Sequence, residues 1–327
     1  SARNFLDKND GVLHMKKSLL AATVAAISVT PAMAAEISVH ADIGAYYVST
    51  TDSSGDDNGD LSGKGMNQIE VKAKHKAANG MSVFGELEID FDPVKNDGAV
   101  KTDDIKIGFK GDFGKFTVGQ FDTKFEDKIS EALQLKFGEY AELSEVKKDN
   151  DEQHFQFETK VSDNLKVTFD GTYVGKDSGF NAGETAGSDL GYSITTEMKA
   201  GSSKIYLGYT KMNEFEKDGD FQTNSYDNSM GVALKTKLSD QTTLHALYAV
   251  SEKDNGDEVD YQGLGLEHSM GDVDFAIAMQ DKDGTTQWHT GAQYNFDKEF
   301  AIYAEMAKFG EDNDEGDVFE TGLKYQF

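Results

Sequence analysis

The sequence predicts an all-β protein: a transmembrane antiparallel β-barrel of sixteen strands, with short turns at one end and long polar loops at the other. Three observations predict it. Apolar and polar residues alternate at period two from Ala35 to the carboxy-terminus. Tight turns alternate with longer polar connections, and an export signal precedes the whole pattern.

Composition narrows the choices before any strand is placed. Of 327 residues, 33 are Gly, 11% are aromatic and only two are Pro, while Cys is absent. A disulfide scaffold and a Cys-ligated metal centre are thereby excluded. Acidic residues outnumber basic ones 59 to 32, a formal charge of −27, which repels nucleic acid. Beyond the amino-terminal region no 18-residue apolar run exists to form a spanning helix. A barrel strand crosses with about 10 alternating residues, a signal that a mean hydropathy of −0.56 conceals.

In chain order, residues 1–14 read as an upstream segment foreign to the domain. Residues 15–34 read as a signal peptide: Lys16 and Lys17, an apolar run from Leu19 to Val29, Pro31, then Ala32-Met33-Ala34. Residues 35–327 form one barrel domain of uniform texture. Its 28 lysines face 57 carboxylates, a net charge of −29, and the only arginine, Arg3, lies upstream.

The clearest strand is Gln287–Phe296, with Trp288, Thr290, Ala292, Tyr294 and Phe296 on one face and Gln287, His289, Gly291, Gln293 and Asn295 on the other. Val273, Phe275, Ile277 and Met279 repeat the pattern, as do Leu244, Ala246, Tyr248 and Val250. Seven tight turns follow from Gly, Asn, Asp and Ser clusters. They are centred on Asn79, Asp112, Asp163, Gly201, Asp240, Gly271 and Lys298. Eight longer loops are expected between them, among them Thr51–Gly63, Lys176–Gly187, Glu252–Val259 and Gly310–Asp317. Fifteen alternating connections make sixteen strands with both termini at one end, short turns periplasmic and long loops extracellular. The last strand, with Phe319, Thr321, Leu323, Tyr325 and Phe327 alternating, ends on an aromatic carboxy-terminus.

With this layout in place, the chain resembles the Gram-negative general porins, trimeric sixteen-stranded diffusion channels. The segment Ile105–Gln120 carries the resemblance best, through Gly108, Gly111, Phe113, Gly114 and Gly119. The opening Ile37–Ala45 is similar to the family's first strand. The resemblance implies a passive pore, a homotrimer, an outer membrane with lipopolysaccharide, and a terminal segment (Tyr325, Phe327) read by the barrel-assembly machinery. It also implies that Asp122–Asp151, about 30 residues without a clear strand, is a third loop folded into the pore. That loop offers Glu126, Asp127, Glu131, Glu139, Glu142 and Glu145. Two departures stand out: Gln120 and Asp42 occupy positions where the family often carries a basic residue on the pore wall, so the resemblance implies that both line the pore.

Alternation assigns the lining. Lys72, Lys74 and Lys76 stack on the second strand, Glu86 and Glu88 on the third, Lys106 on the fourth, and His75 faces lipid with Val71 and Ala73. The carboxylates of the loop set against these lysines lead to an expected cation preference, since screening over about 8 Å at physiological salt mutes distant charge. The acidic runs Asp52–Asp60, Asp254–Asp260 and Glu311–Asp317 read as a solvated outer face or as oxygen ligands for Ca²⁺ or Mg²⁺, without EF-hand spacing. No other metal or cofactor is expected. A barrel enzyme would need a Ser–His or Asp–His pair; of the seven histidines, the six in residues 35–327 are scattered, and with no Gly-x-Ser-x-Gly segment they offer little support. A plugged structural barrel is the third class. Trp288 and the Tyr-rich strand ends fit interfacial aromatic girdles.

Overall fold

A computed structural model describes residues 36–51, 57–62, 67–77, 80–91, 100–138, 141, 143–147, 153–173, 185–186, 191–211, 215–217, 220–221, 226–309 and 317–327. Residues 15–34, read from the sequence as a signal peptide, lie outside them. Sixteen strands form the wall: β1 Glu36–Thr51, β2 Gln68–Lys76, β3 Ser82–Phe91, β4 Val100–Gly111, β5 Gly114–Gln120, β6 Gln153–Ser162, β7 Leu165–Tyr173 and β8 Gly191–Ala200. They continue with β9 Ser203–Lys211, β10 Tyr226–Lys237, β11 Thr242–Lys253, β12 Glu258–Met270, β13 Val273–Lys282, β14 Thr285–Asn295, β15 Phe300–Lys308 and β16 Asp317–Gln326.

Every strand pairs antiparallel with its neighbours in sequence, and β1 closes the ring by a split pairing. Its first half, Glu36–Asp42, runs against β2, and its second half, Asp42–Thr51, runs against β16. Closure removes the open edges that lipid cannot satisfy. The terminal Phe327 takes part: its N–H donates to the Ala41 carbonyl at 3.0 Å, and the Ala41 N–H donates to its carbonyl at 2.9 Å. Where the β1–β2 ladder parts, the buried Asn67 amide replaces it, accepting from the Gly44 N–H at 3.1 Å and donating to the Gly44 carbonyl at 3.0 Å.

Six of the seven short turns lie where their Gly, Asn and Asp clusters place them, and the centre of the first, Asn79, lies outside the described residues. The opposite end departs from the expected layout. β11 and β12 join through Asp254–Asp257, and β13 and β14 through Asp283-Gly284, both at positive φ. Two connections expected to be long are thus tight hairpins, the second on an Asp-Gly pair that favours a primed turn. Additional strands decorate the long loops: Asp57–Ser62 folds back on β1, and Thr185–Ala186, Phe215–Lys217 and Asp220–Phe221 form a separate small sheet.

Residues opposite one another in the ladders share a face, so the register sorts inside from outside. Outward stand exposed apolar side chains such as Ile37, Val39, Leu207, Met230, Leu264, Ile277 and Met279. At the turn end, outward aromatics gather in contact: Phe109 with Phe113 and Phe116, Tyr294 with Phe296, Phe296 with Phe300, and Tyr325 with Phe327. Tyr192 and Tyr209 meet at the loop end, where Tyr47 and Trp288 also face out. Two aromatic belts flank an apolar band, the surface a bilayer requires.

Candidate functional site

The principal packed core lies inside the barrel, where the segment after β5 folds. From Phe121 it turns through a short π-helix, Glu126–Ser130, and continues past Val146. Phe125, Ile129, Leu133, Leu143 and Val146 are almost wholly buried against inward Tyr206, Ala233, Leu247, Ala249, Val259, Tyr261, Ala276 and Ala278. Phe137 and Ala141 pack farther round, against Tyr46, Val48, Tyr303, Ala307 and Val318. The loop therefore lines the wall from β9 to β16 and the outer half of β1. Inward side chains of β2–β4 stand opposite.

The wall is carved to seat this loop. Inward-facing Gly208, Gly231, Gly263, Gly265 and Gly291 stand where any Cβ would come within about 3 Å of Phe125, Ile129, Leu133, Leu135 or Phe137. Close approach is one use of glycine in a strand. Polar anchors fix the ends. The Lys124 N–H donates to Asp170 Oδ2 at 3.3 Å, and Asp170, fully buried, also accepts from Gln156 at 2.8 Å and Ser193 at 2.9 Å. In the middle, Ser144 donates its N–H to Gln287 at 3.0 Å, and its carbonyl accepts from Gln280 at 2.8 Å. At the tip, Phe137 and Gly138 donate their N–H groups to the two oxygens of Glu305, at 2.7 and 2.6 Å. Glu305 stands opposite Glu320 in the ladder, and Glu320 accepts from the Tyr303 hydroxyl at 2.5 Å.

The loop also carries charge, with Asp122 exposed, Glu131 half-buried and Glu126 buried. Asp122, Glu126 and Glu131 bring carboxylate oxygens within 4.8 Å of one another. Burial, with the Glu145 and Asp122 carboxylates nearby, pushes the Glu131 carboxyl up to about 7. Asp127 is held by Lys124 at 2.5 Å and lies 3.9 Å from Lys128. Glu139 and Glu142 lie outside the described residues.

On the opposite wall the register turns Lys72, Lys74, Lys76, Glu70, Glu86 and Glu88 inward, Lys72 facing Glu86 across the ladder. Lys106 joins them, bonded to Asp104 at 2.5 Å and Glu86 at 3.3 Å. Lys72 pairs with Glu70. Asp42 faces inward from β1, 3.3 Å from His40. Gln120 does not line the pore. It pairs with Ile105 and Gln153 while Gly119 takes the inward place opposite Lys106 and His154, so Gln120 shares the outer face of Val118 and Phe155. Of the acidic runs, Asp254–Asp257 is a turn bridged by Asn255 and Asp257 at 2.7 Å; much of the other two lies outside the described residues. His245 and His289 meet Glu267 at 2.8 Å and Glu305 at 3.2 Å.

A closed sixteen-stranded ring, apolar outside and mostly polar inside, with a loop folded through its lumen, defines a membrane-spanning channel of the porin class. The chain belongs to the Gram-negative porins, whose family model matches residues 21–327. A monosaccharide porin of Halomonas sp. is 23% identical over 314 residues, covering 79% of this chain and 82% of that one. A major outer membrane protein of Halomonas elongata matches to the same extent. Among solved structures, the anion-selective porin from Comamonas acidovorans superposes with a TM-score of 0.67 at 14% identity, over 90% of this chain and all of its own. A triple mutant of the Rhodopseudomonas blastica porin gives 0.65 at 13%, over 89% and all of its own. The structural likenesses at these identities carry the fold. The protein is an outer-membrane channel.

Proposed function

We propose that the channel passes ions and small hydrophilic solutes by passive diffusion, prefers cations modestly and works as a homotrimer after signal-directed export. One observation supports the preference above others. Two of the four inward lysines opposite the loop carry carboxylate partners, Lys72 with Glu70 and Lys106 with Asp104 and Glu86, and the loop gathers Asp122, Glu126 and Glu131 in one cluster. A lysine beside a carboxylate projects less field across the pore than it would alone.

The test is the reversal potential of single channels in a KCl gradient. K⁺ should be preferred over Cl⁻, less so as salt rises and screening shortens. Lys72→Gln with Lys74→Gln should strengthen the preference. Chloride preference at low salt would overturn the proposal, and insertion without discrete conductance steps would overturn the channel reading itself.

Glu131 adds a pH signature. Its neutral form dominates below about 7 and its carboxylate above, so the cation preference should rise between pH 6 and 8. Glu131→Gln isolates this contribution by deleting only the Glu131 component. An identical pH profile in that variant would remove Glu131 from the account.

A further inference from the structure

At the turn end of β8–β11, the inward face carries a row of cations. Lys199 stands directly opposite Lys204, Lys204 opposite Lys235, and Lys235 opposite His245. On the adjoining pair, Lys160 stands opposite Lys166. Directly opposed side chains start about 5 Å apart, and like charges placed so destabilise a sheet. Carboxylates relieve only the flanks. Asp163 lies 2.7 Å from Lys160, Glu158 lies 3.6 Å from Lys166, and Glu267 serves both Lys235 at 3.6 Å and His245 at 2.8 Å.

The centre of the row is different. Among the described residues neither Lys199 nor Lys204 has an ion pair, and both are exposed. The nearest acid along β8, Glu197, stands opposite Lys166 and Tyr206. The loop adds another cation, since Lys128 feels the charges of Lys204 and Glu197. In a chain of net charge −27, an uncompensated cationic centre inside the lumen is out of keeping with the bulk composition.

We propose that Lys199, Lys204 and Lys235 form a binding site for compact polyvalent anions of the phosphate-ester or polyphosphate class, open to the turn-side vestibule. Strands spaced about 4.8 Å apart space three ammonium groups over about 10 Å. That span suits several linked phosphates better than one carboxylate. Lysine binds phosphate as a point charge without demanding a fixed fork, which suits a mobile ligand at a channel mouth. The inference rests on the channel reading but assigns a site on the wall beyond the constriction loop.

The experiment uses single channels in planar bilayers with tripolyphosphate added to one face at a time. Because the chain has no cysteine, Ser202→Cys in the β8–β9 turn, labelled with thiol-reactive biotin and capped by streptavidin, identifies the turn face. Tripolyphosphate should block current from the turn face at a concentration about ten-fold below that needed from the loop face, at roughly 0.1 M salt. Lys199→Gln with Lys204→Gln and Lys235→Gln should abolish that asymmetry. Three results would each overturn the site: equal block from both faces, no block, or asymmetric block that the triple variant leaves unchanged. Relief by Lys72→Gln with Lys74→Gln instead would place the anion on the other wall and overturn it too. A chain that conducts without block fails this inference alone, whereas a chain that never conducts fails the channel reading.

Discussion

Excising residues 124–146 and joining Thr123 to Lys147 with a short Gly-Ser linker should raise single-channel conductance several-fold and erase the Glu131 step in the pH profile. The join is feasible because Gln120 and Gln153 stand directly opposite in the β5–β6 ladder, so the shortened connection spans neighbouring strands. The barrel should survive, since its sixteen ladders close without the loop. The variant has a stability cost that can be anticipated. Phe125, Ile129, Leu133, Leu143 and Val146 are at most 2% exposed, and each such side chain contributes about 1.5–3 kcal/mol by burial. The melting temperature should fall while heat-modifiable migration on gels persists. Unchanged conductance in a folded variant would show that the loop does not set the narrowest passage.

How much of this was legible before the structure depends on what alternation reports. It reports faces. Trp288 and Tyr294 against Gln287, His289 and Gln293 could be assigned outward and inward from the sequence alone, and the ladder places them so. The same rule, applied to Gly114–Gln120, puts Lys115, Thr117 and Gly119 inside and Gln120 outside. Treating Gln120 as lining ignored that parity in favour of its polarity and its resemblance to a family position. Asp283-Gly284 was also readable as a hairpin turn, yet its polar neighbours made a long loop look natural.

What alternation does not report is the object resting on a face. Thr242–Lys253 is apolar on both sides, with Tyr248 and Val250 outward and Leu247 and Ala249 inward. A strand with lipid on one side and another apolar surface on the other has this composition, and Ala276 and Ala278 repeat the hint on β13. The inward glycines Gly208, Gly231, Gly263, Gly265 and Gly291 are the complementary signal. They mark where backbone must be approached closely, but no local pattern says by which residues. Glu305 and Glu320 were readable as inward acids. Their use as acceptors for a loop some 170 positions away in the chain was not, because that contact depends on the closed topology.

The same anchor gives the second large effect: Glu305→Ala should convert a steady channel into a noisy one that closes at lower voltage, with reduced thermal stability. Glu305 is 2% exposed and accepts from both Phe137 and Gly138. Its removal leaves two N–H donors in a buried site without their acceptor, at a cost of about 1–3 kcal/mol each. Glutamine is only a partial replacement, because a carboxylate accepts on both oxygens whereas an amide presents one donor nitrogen. Glu305→Gln should therefore fall between wild type and alanine. Gly138 tests the anchor from the loop's side. A Cβ there would lie 2.2 Å from Glu320 Oε1 and 2.6 Å from Glu305 Oε1, so Gly138→Ala must push the tip away from both acids. Current noise and closing voltage measured across the three variants should follow one order, wild type quietest and the two disruptive substitutions noisiest. A quiet Glu305→Ala channel with the wild-type closing voltage would mean that apolar packing of Phe125 through Val146 holds the loop by itself.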